Sequence, residues 1–196
     1  SATGQEHYHE LYRPLTPGFI HANCDDIADI DRIISENKVA GILVECVQGE
    51  GGVKPISQTY LRYLEKVAQE HDIILMIDEV QTGNGRTGTL YAYEQAGIHP
   101  DVVTTAKGLG GGLPIGACII GKKCMDVLQP GDHGSTFGGN PISAAGAISI
   151  LSRIDDALLA EVRAKSSHIF ERFSGAPGIV SVSGLGLMIG ILTEKP

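Results

Sequence analysis

Four short runs decide what this chain can fold into: residues 40–47, 73–77, 101–106 and 116–121. Each is apolar through most of its length instead of at every second position. A strand with one wet face alternates, whereas a strand buried on both faces does not. Between these runs lie stretches with helical spacing. Ile27, Ile30, Ile33 and Ile34 recur through residues 25–37, with aspartates at the start where the helix dipole favours them. Leu61, Leu64, Val67 and Ala68 share one face of a helix that Ser57 caps and that runs to about Asp72. This alternation predicts an α/β fold, a mostly parallel sheet with helices on both faces. Short helices are expected at 89–96 and from the fourth strand to about Leu128. Longer ones are expected at 141–153, where Pro141 takes the favoured first position, and at 155–173. Strands at 179–182 and 187–192 follow, and residues 1–21 read as loop.

In open sheets of this kind ligands sit beyond the carboxyl ends of the strands. Three features fall there: Glu45 with Glu50, Asp78 with Gln81, and Lys107. Lys107 ends the third run and is followed at once by Gly108-Leu109-Gly110-Gly111-Gly112. A lysine at the mouth of a buried strand is either a solvated cap or an amine that can be neutral and nucleophilic. Lysine also forms Schiff bases with carbonyl compounds, pyridoxal phosphate among them. Asp78 and Glu79 end the second run, where a carboxylate is costly unless paired. Asp78 either caps the following turn, pairs with an arginine such as Arg86, or holds a proton on a cofactor's ring nitrogen.

Gly83-Asn84-Gly85-Arg86-Thr87-Gly88 matches GxGxxG after a strand, the pattern of a dinucleotide site or of a plain glycine-rich turn. The dinucleotide reading also wants an acid at the end of the next strand, and Lys107 stands there. The loop 134–141, with Ser135, Thr136 and Asn140 before Pro141, offers hydroxyls and free amides to a phosphate and an N-cap to a helix.

With 196 residues the chain can bury a sizeable core. Its net charge of −8 argues against a nucleic-acid or anionic-membrane partner. No apolar run is long enough to span a bilayer, and the polar N-terminus carries no signal-peptide core. The four cysteines are scattered without zinc spacing, which reads as reduced thiols in a cytoplasmic protein. The seven histidines show no metal spacing, so no metal is expected. The 26 glycines are clustered, as in tight loops near a ligand. The start at Ser1 and the strand-like 184–191 just before Pro196 suggest part of a longer protein.

Four stretches taken together, 45–53, 77–88, 104–117 and 134–141, resemble the class III pyridoxal-phosphate aminotransferases, in family order and spacing. Within that family the acetylornithine branch is the nearest, with ornithine, succinylornithine and 4-aminobutyrate branches beside it. The resemblance implies the large domain of a fold-type I enzyme over residues 1–175, the start of a smaller domain at 176–196, and a homodimer. It implies that Lys107 carries pyridoxal phosphate and shuttles a proton, and that Asp78 pairs with the pyridine nitrogen. Glu79 is counted with the cofactor-binding set, Val80 packs on the ring, and Gln81 meets its phenolic oxygen. Thr136 binds the phosphate across the dimer, Ser135 lies at the substrate, and Glu50 restrains a substrate-binding arginine. The implied reaction moves the terminal amino group of N-acetylornithine, or a related ω-amino acid, to 2-oxoglutarate in arginine biosynthesis. The family's main phosphate loop and substrate arginines match nothing here, and Cys46 stands where proline is usual. The 196 residues alone are therefore expected to bind the cofactor weakly. A folded, catalytically incompetent piece and a dinucleotide-binding oxidoreductase are the alternatives.

Overall fold

The computed structural model describes residues 1–194. Backbone contacts divide the chain into two units, Ser1–Val39 and the remainder from Ala40. The first holds α1 (Glu6–Leu11) and α2 (Ile27–Glu36). The Asp26 side chain accepts from the Asp29 N–H and starts α2, whose Ile30 and Ile33 are buried. α1 lies inside the stretch expected to be loop. It is under two turns long, too short to show a periodic apolar face.

The second unit is built on a four-stranded sheet of β1 (Gly41–Glu45), β4 (Ile74–Asp78), β5 (Val102–Thr105) and β6 (Ala117–Ile120), in that order. β1, β4 and β5 are parallel, and their carboxyl ends align in one row, Glu45↔Asp78↔Thr104. β6 returns antiparallel, with Thr104 opposite Cys118. The reason is length: only residues 106–116 join β5 to β6. A parallel crossover needs about a dozen residues or more.

One face of the sheet presents Leu75, Ile77, Val103 and Thr105, all buried. α3 (Gln58–Glu70) packs on β1 and β4 and is started by Ser57, whose hydroxyl accepts from the Tyr60 N–H at 3.1 Å. Its Leu61, Leu64, Val67 and Ala68 are buried, the four that the spacing put on one face. Each large aliphatic side chain so buried contributes about 1.5–3 kcal/mol. The opposite face carries Leu43, Met76 and Val102, of which Leu43 is exposed. β6, at the sheet edge, is exposed at all four positions.

β2 (Val47–Gln48) and β3 (Lys54–Pro55) form a small hairpin past the end of β1. α4 (Pro141–Leu151) begins where the Asn140 side chain accepts from the Ser143 N–H at 2.9 Å. It packs on the 3₁₀ turn Lys107–Gly110. α5 (Asp156–Phe173) follows. β7 (Ile179–Leu185) and β8 (Met188–Thr193) make an antiparallel hairpin that lies against β3. The helix expected at 89–96 is a 3₁₀ turn over Ala92–Ala96, and the one expected up to Leu128 is a series of turns. That second segment exposes Met125, Val127 and Leu128, so no core-facing stripe forms to hold a helix together. Among the described residues no helix is long and apolar enough to cross a membrane.

Candidate active site

The row at the carboxyl ends of β1, β4 and β5 brings Glu45, Asp78 and Thr104 onto the same face of the sheet. Lys107 follows β5 by two residues and is exposed. Its backbone is left-handed, with φ 46°, a conformation in which an L-residue other than glycine is strained. Such strain persists only where the surroundings over-determine it, and it gathers at functional sites. Leu109 and Gly110 are buried beneath it against α4, where a Cβ on Gly146 would come 3.2 Å from the Gly110 carbonyl oxygen.

Asp78 is half-buried, and its Oδ1 accepts from the Val80 N–H at 2.9 Å, so the carboxylate also closes its own turn. Burial pushes the Glu45 carboxyl above its ordinary value, and the Asp78 charge adds to the push. A Gly49 backbone hydrogen bond and the Lys107 charge pull it back. Two acids and one lysine therefore share a field at the strand ends. The Thr104 hydroxyl, beside Asp78, is buried without a hydrogen-bond partner. A buried hydroxyl left without a partner is a local cost, of the kind that calls for an explanation at a functional site.

Gln81 lies beside the loop after β2: a Cβ on Gly49 would stand 2.5 Å from its Nε2. Glu50, exposed in that loop, also bears electrostatically on Glu45. Val80 follows Asp78 and is partly exposed. Glu79 is placed differently from the expectation that it binds a cofactor. It is fully buried and turned into the core. Its carboxylate accepts from the Thr82 hydroxyl, from the Tyr93 N–H at 2.9 Å and from the Ala92 backbone, and the Cys46 thiol lies 3.9 Å away. Strand parity turns neighbours to opposite sides, and only one side faces the cluster. Ser135 and Thr136 are exposed in the loop before α4, and none of their hydrogen bonds reaches the strand ends.

The GxGxxG loop is spent on packing. A Cβ on Gly83 would stand 2.8 Å from the Glu79 carbonyl oxygen and 3.1 Å from the Tyr91 ring. Gly85 lies against Ile154 and Leu159, and Gly88 against Arg163, whose guanidinium donates to the Gly88 carbonyl. No α-helix follows the loop, only the 3₁₀ turn Ala92–Ala96. The loop therefore lacks the helix N-terminus that a dinucleotide's pyrophosphate needs, and that alternative falls.

One residue inside that loop escaped sequence reasoning. Asn84 has φ 57°, and its amide nitrogen donates to the Thr105 hydroxyl at 3.0 Å and the Ala106 carbonyl at 3.2 Å. The only local signal is an asparagine between glycines, a residue that tolerates the left-handed region. Its partners lie 21 and 22 positions away. Among the described residues no group of His, Cys, Asp and Glu is arranged to hold a metal.

The aminotransferase class-III family model matches residues 1–196. The acetylornithine aminotransferase of Haemophilus ducreyi is 47% identical over 191 residues, 97% of this chain and 49% of the relative. That of Aquifex aeolicus is 43% identical over 195 residues, 100% of this chain and 51% of the relative. The chain thus spans about half the length of the curated relatives it matches. Among solved structures, an ornithine aminotransferase from Toxoplasma gondii, reported with partial occupancy of PLP at its active site, superposes with a TM-score of 0.88 at 33% identity. It is covered to 47%, and this chain to 99%. An acetylornithine aminotransferase from Elizabethkingia anophelis gives a TM-score of 0.83 at 37% identity, over 92% of this chain and 47% of that one.

Proposed function

The chain belongs to the class-III aminotransferases, and from that premise we propose that it carries the lysine-and-acid half of a pyridoxal-phosphate-dependent transaminase. The reaction is transfer of the terminal amino group of N-acetylornithine, or a related ω-amino acid, to 2-oxoglutarate, a step of arginine biosynthesis. The relatives at 40–47% identity that bear the acetylornithine name support the substrate. The fold is that of the large domain of fold-type I enzymes. The observation that carries the reading is Lys107, held left-handed beyond the row Glu45, Asp78 and Thr104.

The residues present fit the cofactor. Asp78 offers a carboxylate to a protonated ring nitrogen, and the Thr104 hydroxyl beside it is buried without a hydrogen-bond partner. When bound, pyridoxal phosphate supplies the electron sink that lets a carbon acid lose its proton. Lys107 is the amine that attaches the cofactor and then holds and moves a proton at Nζ. Val80 is read as the ring's apolar floor and Gln81 as a donor to the phenolic oxygen. Ser135 and Thr136 are assigned to substrate and phosphate, Thr136 across a homodimer, and Glu50 to a substrate-binding arginine. Residues 1–175 are read as large domain and 176–196 as the start of a second, the last two lying outside the described residues. A cytoplasmic location accompanies this function.

Incubation with pyridoxal phosphate followed by borohydride reduction tests the reading. A single covalent adduct on Lys107, lost in Lys107→Ala, is expected. An adduct elsewhere, or none in the complete folded protein, overturns it. Amino transfer from N-acetylornithine compared with ornithine and 4-aminobutyrate then sets the donor. The 196 residues alone are expected to bind the cofactor weakly and not to turn over.

A further inference from the structure

We propose that Asn84 is a positioning residue for Lys107, its side-chain amide clamping the backbone from which the lysine projects. This rests on the reading of Lys107 as the cofactor-attaching amine. Asn84 grips the chain just before that residue and borders it just after. Its Nδ2 donates to the Thr105 hydroxyl and to the Ala106 carbonyl, and its Cβ lies where a Cβ on Gly108 would be 3.6 Å away. The Ala106 carbonyl also accepts from the Leu109 N–H at 3.0 Å, so one oxygen ties the loop above the strand to the turn below it. Thr105 is buried and itself hydrogen-bonded with Tyr91, which roots the clamp in the core.

The orientation of the amide follows from its partners. A carbonyl can only accept, so the nitrogen must face Ala106, and both of its protons are used. The other end, Oδ1, is left buried without a partner. A buried acceptor without a donor is a cost. What the amide does is fix the peptide just before a lysine at φ 46°. Without it, Ala106–Lys107 can turn toward an unstrained φ and carry Nζ off its line beyond the strand ends.

Asn84→Gly and Asn84→Ala in the complete protein separate the clamp from the backbone. Glycine keeps the left-handed conformation and removes the amide, and alanine removes both. The readouts are the rate at which pyridoxal phosphate becomes trapped on Lys107 by borohydride, the pH midpoint of the bound cofactor's absorbance, and the melting temperature. Both variants are expected to slow trapping roughly ten- to a hundredfold and to move the pH midpoint. Only alanine should lower the melting temperature clearly. Thr105→Val removes one anchor without touching the loop and is expected to slow trapping in the same direction. Wild-type trapping rates and an unmoved pH midpoint in Asn84→Gly, or in Thr105→Val should the glycine variant not fold, overturn the proposal. Failure of the underlying reading shows separately, as an adduct that persists in Lys107→Ala.

Discussion

Asp78 and Glu79 are neighbours in the chain whose carboxylates part company at the end of β4. Asp78 turns to the half-open row with Glu45, and Glu79 turns into the core toward Tyr93, Thr82 and Cys46. One is available to a ligand, and the other anchors the loop that follows.

Their variants should therefore fail in different ways. In the complete protein, and on the proposed reading of the site, Asp78→Asn is expected to leave stability within about 0.5 kcal/mol and to cut amino transfer about a hundredfold or more. Glu79→Ala strands buried donors and should cost about 2–3 kcal/mol in urea unfolding. Burial, the largest influence on Glu79, raises its carboxyl above the usual range. For a raised acid the stabilising contribution is complete below the unfolded-state value and is lost as pH rises through the folded one. Unfolding free energy measured across that interval should fall with pH in the wild type. The fall should be smaller in Glu79→Gln, which no longer titrates.

Lys107→Gly should make the protein more stable by about 1 kcal/mol while removing the borohydride adduct. A left-handed lysine carries strain that glycine does not. Calorimetry and intact mass on the same sample read both effects. A loss of stability would mean that the lysine side chain contributes packing that outweighs its backbone.

Glu45 should titrate above its ordinary value in carbon-detected NMR, because it is half-buried and faces Asp78. Asp78→Asn removes a like charge and should bring the midpoint down. Lys107→Ala removes an opposite charge and should carry it further up. The two shifts must have opposite signs if the three groups share one field.

Gly186→Ala is expected to destabilise by about 2–4 kcal/mol. Gly186 sits in the β7–β8 turn at φ 59°, and a Cβ there would come 2.5 Å from the Thr87 Cα and 2.6 Å from the Arg86 carbonyl oxygen. Gly97→Ala has a similar φ of 68° but open space around it, and should cost about 1 kcal/mol. Equal losses at the two positions would show that only the backbone angle matters and that the hairpin docks loosely.

How much of this was readable depends on how far each cause reaches along the chain. Ser57 and α3 were legible because a cap and a 3.6-residue stripe are local. That Asp78 and Lys107 come at the ends of neighbouring strands was legible because parallel strands end on one side of the sheet. The direction of β6 was not, since an apolar run looks the same read either way and only the short connection decides it. Glu79 could not be told from Asp78, because composition does not say where a strand's alternation stops. The glycines at 83, 85 and 88 matched a phosphate-binding pattern, yet their neighbours are Tyr91, Leu159 and Arg163, contacts that no motif encodes. Asn84 belongs to the same class, being a local oddity with a distant partner.

The register Glu45↔Asp78↔Thr104 has a kinetic consequence. Its members come from three strands separated by long connections, and no two of them meet through a hairpin. Every contact in the row waits on loop closure over twenty or more residues, which forms late and slowly. A partly folded chain thus has helices and turns but no site. Capture of a cofactor on Lys107 would mark completion of the sheet, so the rate of adduct formation during refolding doubles as a clock for strand docking.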